Sequence, residues 1–186
     1  MAVKALNDGF DGRVRSLLRD AESSDQCVRQ LSNAIMNNDL GRITALSAAV
    51  DAKTLTRMLW LASVLSTTKS DTIMGLIDVG ADKMSVDIMG RTLIHEAASW
   101  LNFNVLEPLV RAGIPVDSVD NKGRTALIEV VNMRHADIAT LYLTVKLLVD
   151  LGSNPGHVDR MGRDAPYYAI LRGYVGLTDL LCQSRD

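Results

Sequence analysis

The sequence predicts an all-α fold, a solenoid of about five stacked helix pairs joined by short turns or β-hairpins. A phrase built on Asp, Gly and Arg begins at Asp87 and begins again at Asp120, 33 residues further on. A third copy begins at Asp159. Apolar residues at helical spacing follow each copy. A period in this range, with a turn ahead of two short helices, is typical of repeats that bury their apolar faces only by stacking.

The clearest repeat shows how each element is encoded. Gly90 stands where a tight turn needs a positive φ, and Thr92 is placed to cap the helix that follows. Alanines on the apolar side of that helix let a neighbouring helix approach closely. A second helix is predicted from Val105 by apolar residues at i, i+1, i+4 and i+5, and Gly113 ends it.

Residues 87–98 resemble the opening of the ankyrin repeat, whose pattern is Asp-x-x-Gly-x-Thr-Pro-Leu-His-x-Ala-Ala. Leu93 takes the place of the proline. The second-helix phrase of that family, Leu-Leu-x-x-Gly-Ala-Asp, is similar to residues 76–82 and again to residues 109–115. The resemblance implies a non-catalytic domain that binds proteins through a concave face. It also implies that Thr92 and His95 hydrogen-bond the turn to an adjacent repeat, which is a structural role.

The repeat pattern predicts one ankyrin-repeat domain over residues 1–186, with the match strongest over 70–163 and looser at both ends. Terminal repeats have a single neighbour, so their sequences drift. The predicted parts are an N-terminal capping helix at 1–25, repeats at about 26–50, 51–86, 87–119 and 120–158, and a C-terminal cap at 159–186.

One interval is longer than the others, since Asp159 follows Asp120 by 39 residues. The additional six residues are expected within 136–146. They form either a longer inter-helix connection or an overlong second helix. Alternatively, Leu141, Tyr142 and Leu143 project as a local contact with a partner, because insertions in solenoids fall on one face and often bind.

Composition and motifs argue against several functions. The net charge of −2 and an aromatic content of 4% do not favour nucleic-acid binding. No phosphate-binding loop, nucleophile elbow or zinc-ligand spacing occurs, so we expect no catalytic, cofactor or metal site. A membrane span and an export signal are also not expected. Cys27 and Cys182 are predicted to be free thiols in a cytoplasmic protein, or in one delivered into a host cell as an effector.

The partner-binding surface is predicted by mapping the concave face of the ankyrin pattern onto this chain. Its basic character favours a protein partner with an acidic surface, and Trp, Met and Arg are typical of interfaces. The predicted contact residues are Ile88, Met89, Arg91, Trp100, Asn121, Lys122, Arg124, Met133, Arg160, Met161, Arg163 and Arg172.

The function predicted from these features is non-catalytic protein binding, in which the domain sequesters, inhibits or scaffolds a partner. The protein is expected to be a monomer when alone. An alternative is an assembly or stabilising subunit of an enzyme, or an immunity-type or effector-type inhibitor, that uses the 136–146 insertion as its interface. Neither interpretation names the partner.

Overall fold

A computed structural model of the protein describes residues 25–134 and 137–183. The predicted all-α class is confirmed: these residues form ten α-helices and one short 3₁₀ helix, and no strand occurs among them. The solenoid arrangement stays a prediction. Apart from Asp25, the predicted N-terminal capping helix lies outside the described residues. None of the helices in these ranges combines the length and the apolarity that crossing a membrane requires.

The contacts group the chain into two units, divided between Lys83 and Met84. Whether the units make up the single predicted domain stays a prediction. The first unit holds helices α1 (Gln26–Met36), α2 (Leu40–Ser47), α3 (Ala52–Val64) and α4 (Ser70–Asp78). Aspartates precede the first three helices, and each side chain accepts a hydrogen bond from a backbone N–H of the first turn. Within this unit α1 packs on α3 and α2 packs on α4.

Asn38 ties the two helix pairs of the first unit together. It occupies the turn between α1 and α2 with φ of 53°, a conformation that Asn tolerates better than most residues. Its Oδ1 accepts hydrogen bonds from the Lys69 N–H and the Thr72 hydroxyl at 2.8 and 2.9 Å. Its Nδ2 donates to the carbonyl of Thr67. One polar side chain therefore bonds the first pair to the turn that joins α3 to α4.

The second unit holds three further helix pairs. The first helices are α5 (Leu93–Ser99), α7 (Ala126–Asn132) and α9 (Ala165–Arg172). The second helices are α6 (Leu106–Arg111), which follows a 3₁₀ turn at Phe103–Val105, then α8 (Ile138–Asp150) and α10 (Val175–Gln183). Helix α7 packs against α5 and against α9, so the first helices contact one another in chain order. Almost every residue of α5 and α7 is buried as a result.

The long interval in the sequence is explained by α8, which has 13 residues where α6 has six. An overlong second helix, one of the two structural interpretations, is therefore what the chain forms. Leu141 is fully buried, so its predicted projection toward a partner is wrong. Tyr142 and Leu143 are exposed, and a partner contact there stays a prediction.

The connection after α5 uses a strained backbone. Leu101 has φ of 55°, at the position where the α9–α10 connection has Gly173 at 74°. A leucine in this conformation is disfavoured by the contact between Cβ and the carbonyl oxygen. The connection is nevertheless hydrogen-bonded to the end of α5. The N–H groups of Leu101 and Asn102 donate to backbone carbonyls of that helix at 2.9 Å.

Candidate protein-binding surface

Three turns in the second unit repeat one hydrogen-bond pattern. In the first, Asp87 Oδ1 accepts the backbone N–H groups of Met89 and Arg91 at 2.8 and 2.9 Å. The carboxylate of Asp120 makes the equivalent bonds at 2.8 and 2.9 Å, and that of Asp159 at 2.8 and 3.0 Å. In each turn the carbonyl of the Asp also accepts the N–H of the glycine three residues later, at 2.9 Å. One carboxylate thus closes each turn within five residues.

The turns are joined to one another by backbone hydrogen bonds. The N–H of Asn121 donates to the carbonyl of Met89 at 2.9 Å, which joins the second turn to the first. The N–H of Arg160 donates to the carbonyl of Lys122 at 3.0 Å, which joins the third turn to the second. Since the bonded positions are equivalent, the tips of the turns lie side by side in register.

This close approach needs glycine at two positions. Gly90 and Gly123 both have φ of 73°, which favours glycine. A Cβ at Gly90 would lie 2.6 Å from Oδ1 of Asn121, and a Cβ at Gly123 would lie 3.1 Å from the backbone nitrogen of Arg160. The prediction of a positive φ at Gly90 is confirmed. The glycine is required for the neighbouring turn as well as for its own.

Arg91 is not on the surface, so its predicted role as a partner contact is wrong. The side chain is 4% exposed and its Nε donates to Asp87 Oδ2 at 2.9 Å. Its Nη2 pairs with Glu96, and its Nη1 lies 3.2 Å from Glu129 Oε1. Burial would lower the pKa of this guanidinium, but the carboxylates around it outweigh burial and raise the pKa. Arg91 neutralises the buried carboxylates of Glu96 in α5 and Glu129 in α7.

Arg124 and Arg163 are also engaged by their own turns. Arg124 Nη2 lies 2.6 Å from Asp120 Oδ2, and its side chain is 13% exposed. Arg163 Nη2 lies 3.1 Å from Asp159 Oδ2, its side chain is 30% exposed, and its guanidinium lies 4.9 Å from the ring centroid of Tyr168. Both arginines remain accessible at their edges, but their charges are already paired.

Both carboxylate oxygens of Asp159 accept hydrogen bonds. The Tyr168 hydroxyl donates to its Oδ2 at 2.6 Å, in addition to the Arg163 bond and the two turn N–H groups. Burial alone would raise the pKa of this carboxyl, but the hydrogen bonds outweigh it and lower the pKa to about 2. Burial and the nearby Asp159 charge raise the pKa of Tyr168 to about 12. This carboxylate is fully committed to donors of its own turn and of helix α9.

His95 takes the structural role that the resemblance implies. Its Nδ1 accepts the Thr92 N–H at 3.2 Å, and its Nε2 lies 2.9 Å from the carbonyl oxygen of Arg124 in the next turn. These partners define a neutral ring in which Nε2 carries the proton, because the carbonyl can only accept. Burial lowers the pKa of His95 below its usual 6.5, which keeps the ring neutral. A neutral histidine thereby joins two turns.

The remaining predicted contacts divide by exposure. Ile88 and Met161 are 91% and 73% exposed, and the other exposed members of the set are Met89, Asn121, Lys122, Met133 and Arg160. Trp100 and Arg172 are half-buried. The indole of Trp100 donates to Glu96 Oε1 at 3.0 Å, and Arg172 donates to the carbonyl and side chain of Asn132. Both side chains therefore support the fold as well as bordering the surface.

Sequence reasoning missed three valines on this surface. Val86, Val119 and Val158 each immediately precede the Asp that opens a turn, and each is about half exposed. The signal was available, because a β-branched residue stands at this position in all three copies of the phrase. We call the exposed residues of the three turns the turn face: Val86, Ile88, Met89, Val119, Asn121, Lys122, Val158, Arg160 and Met161.

A groove of about 320 Å³ opens between the second and third turns. Four cations and one carboxylate border it. Its lining residues are Asn121, Lys122, Arg124, Asn132, Asp159, Arg160, Met161, Arg163 and Tyr168.

The described residues contain no cluster of three or more His, Cys, Asp or Glu side chains arranged to hold a metal ion. No model of a known protein family matches the chain, and no curated protein matches it either.

Proposed function

We propose that the chain is an ankyrin-type repeat protein that binds a protein partner through the turn face. The observation that carries this proposal is the set of exposed apolar side chains held in register by three equivalent turns. Ile88 and Met161 are largely exposed to solvent at the two outer turns, and a half-exposed valine precedes the aspartate of each turn. Exposed apolar side chains that gather on one face of a protein mark interaction sites.

Three features support the repeat assignment. The Asp-centred hydrogen-bond pattern recurs at Asp87, Asp120 and Asp159. A helix pair follows each turn, and the first helices of successive pairs pack on one another. The histidine of the family phrase, His95, bonds the next turn. These are the relations expected when each repeat buries its apolar face against its neighbour.

The rigidity of the turns supports binding as the function. Each tip is closed by hydrogen bonds to a carboxylate and is bonded through its backbone to the adjacent tip. A partner would therefore find the apolar side chains on a backbone that needs no further ordering, which reduces the entropic cost of association.

The alternative, an assembly subunit that binds through the insertion, is favoured by one observation. Helix α8 exposes Ile138, Tyr142 and Leu143 on its surface. This second apolar surface lies on the element that carries the additional residues. It is kept as a separate candidate because insertions in repeat proteins often form binding sites.

Affinity capture from native lysate tests both candidates. We expect Ile88→Ser/Met161→Ser to lose a stoichiometric partner that the wild type and Val175→Ser retain. Val175 is a suitable control because it is an equally exposed apolar residue at the start of α10. Loss in Tyr142→Ser/Leu143→Ser instead, with retention by the turn-face variant, would transfer the interface to α8 and overturn the proposal.

A further inference from the structure

We infer that the groove between the second and third turns receives carboxylate side chains of an acidic peptide segment. The inference rests on the proposed function, since it assigns the chemistry of the partner at one part of the turn face. The groove is about 320 Å³, at the lower end of the range of ligand pockets, roughly 300–1,000 Å³. It is large enough for side chains of a docked segment and too small for a folded element.

The charges around the groove are unbalanced. Asp159 is the carboxylate among its lining residues, and both of its oxygens already accept hydrogen bonds. Arg163 and Arg124 pair with the aspartates of their own turns. Two further cations, Lys122 and Arg160, are exposed and form no ion pair with the described residues. The groove therefore carries two cations that its own carboxylate does not neutralise.

The backbone holds these two cations together. The Arg160 N–H donates to the Lys122 carbonyl at 3.0 Å, so their Cα atoms belong to adjoining turns. The Cγ of Arg160 lies 3.1 Å from the position that a Cβ on Gly123 would take, so its stem runs over the glycine. Like charges on neighbouring strands or turns repel one another, and an anion placed between them relieves that repulsion.

The surroundings favour a peptide over a nucleic acid. Met161 is an exposed apolar side chain that lines the groove, and an exposed valine precedes the aspartate of each of the two turns. A carboxylate-bearing chain with apolar neighbours matches both features. Two unpaired cations in one groove are few for tracking a phosphate backbone, whose affinity grows with the number of phosphates neutralised.

The test uses the whole chain and a peptide of six glutamates that carries a neutral dye, with the matching six-glutamine peptide as the uncharged probe. We expect fluorescence anisotropy to show binding of the glutamate peptide alone, and Lys122→Gln/Arg160→Gln to weaken it at least about tenfold. Raising the salt from about 50 to about 300 mM should weaken it further, because exposed charges are screened. Arg111→Gln, which removes an exposed cation from α6, should change the affinity less than about twofold.

A charge reversal sharpens the test. Lys122→Glu/Arg160→Glu should lose the glutamate peptide and bind a six-lysine peptide instead. Equal binding of the glutamate peptide to wild type and to both groove variants would overturn the inference, as would equal affinity for the glutamine peptide. Tighter binding of single-stranded DNA than of the glutamate peptide would overturn the choice of ligand.

The two proposals fail separately. If partner capture depends on Ile88 and Met161 but peptide binding does not depend on Lys122 and Arg160, the proposed function is retained and this inference is overturned. Peptide binding that depends on the two cations, without turn-face dependence of partner capture, would overturn the proposed function alone.

Discussion

Replacement of Arg91 by alanine should destabilise the protein more than loss of any exposed arginine. The guanidinium is buried among three carboxylates, from Asp87, Glu96 and Glu129. Without it, Glu96 keeps one donor, the indole of Trp100, and Glu129 keeps an arginine at 3.7 Å. One oxygen of Glu129, Oε2, is already buried without a hydrogen-bond partner. The variant therefore leaves negative charge buried and undercompensated.

The expected loss is about 3–5 kcal/mol of unfolding free energy, the usual cost of removing one member of a buried ion pair. Arg163→Ala is the matched control because Arg163 occupies the equivalent position in the third turn. Its side chain is far more exposed, and Asp159 retains the Tyr168 hydroxyl and two backbone N–H groups. We expect that variant to lose clearly less unfolding free energy, because it removes only a partly exposed ion pair and a cation–π contact.

The assay is equilibrium urea unfolding in a Trp60→Phe background, so that the remaining Trp100 reports on the second unit. A double-mutant cycle tests the network further. Adding Glu129→Gln to Arg91→Ala should recover part of the lost unfolding free energy, because neutralising the acid removes the uncompensated charge. If Arg91→Ala cost no more than Arg163→Ala, or if Glu129→Gln recovered nothing, the argument from the buried ion network would be refuted.

Two further predictions concern the turns. Gly162→Ala should cost about 1–2 kcal/mol, because its φ of 72° strains alanine although nothing lies within 4 Å of the new Cβ. Gly123→Ala should cost at least about 1 kcal/mol more, since its Cβ would press on the backbone nitrogen of Arg160 and weaken the bond to Lys122. Equal losses in urea unfolding would contradict the close approach of the turns. The pKa of His95 is lower in the folded protein than the usual 6.5, so folding favours the neutral ring. The contribution of His95 to the unfolding free energy is therefore fully present above pH 6.5 and should fall as the pH drops below that value, where the unfolded chain binds the proton. His95→Gln should remove this pH dependence. If the variant and the wild type lost the same unfolding free energy between about pH 7.5 and pH 5.5, the prediction would be wrong.

The turns could be predicted from the sequence because their hydrogen bonds are local. The bonds that close each turn join residues at most four positions apart, from Asp87 to Arg91 and from Asp120 to Arg124. The glycines follow from the same geometry, since a tight turn at Gly90 or Gly123 needs a positive φ. The helical class follows in the same way from apolar spacing.

The environment of the arginines could not be predicted from the sequence. Arg91, Arg124 and Arg163 stand in the same phrase, yet their exposure rises from the first to the third. The difference lies in which side chains the neighbouring helices supply, because Glu129 contacts Arg91 from 38 residues away whereas Arg163 of the third turn contacts Tyr168 of the helix that follows. Predicting Arg91 as a surface contact was wrong for this reason.

The sequence by itself therefore determined the all-α class, the turn geometry and the residue types at the tips. Tertiary structure decided which of those residues face solvent. The juxtaposition of Lys122 and Arg160, the groove beside them and the register of the valines exist only when separate turns are bonded to one another. The physical reason is range: local hydrogen bonds are set by neighbours in the chain, whereas burial and charge balance depend on residues 29 to 38 positions away.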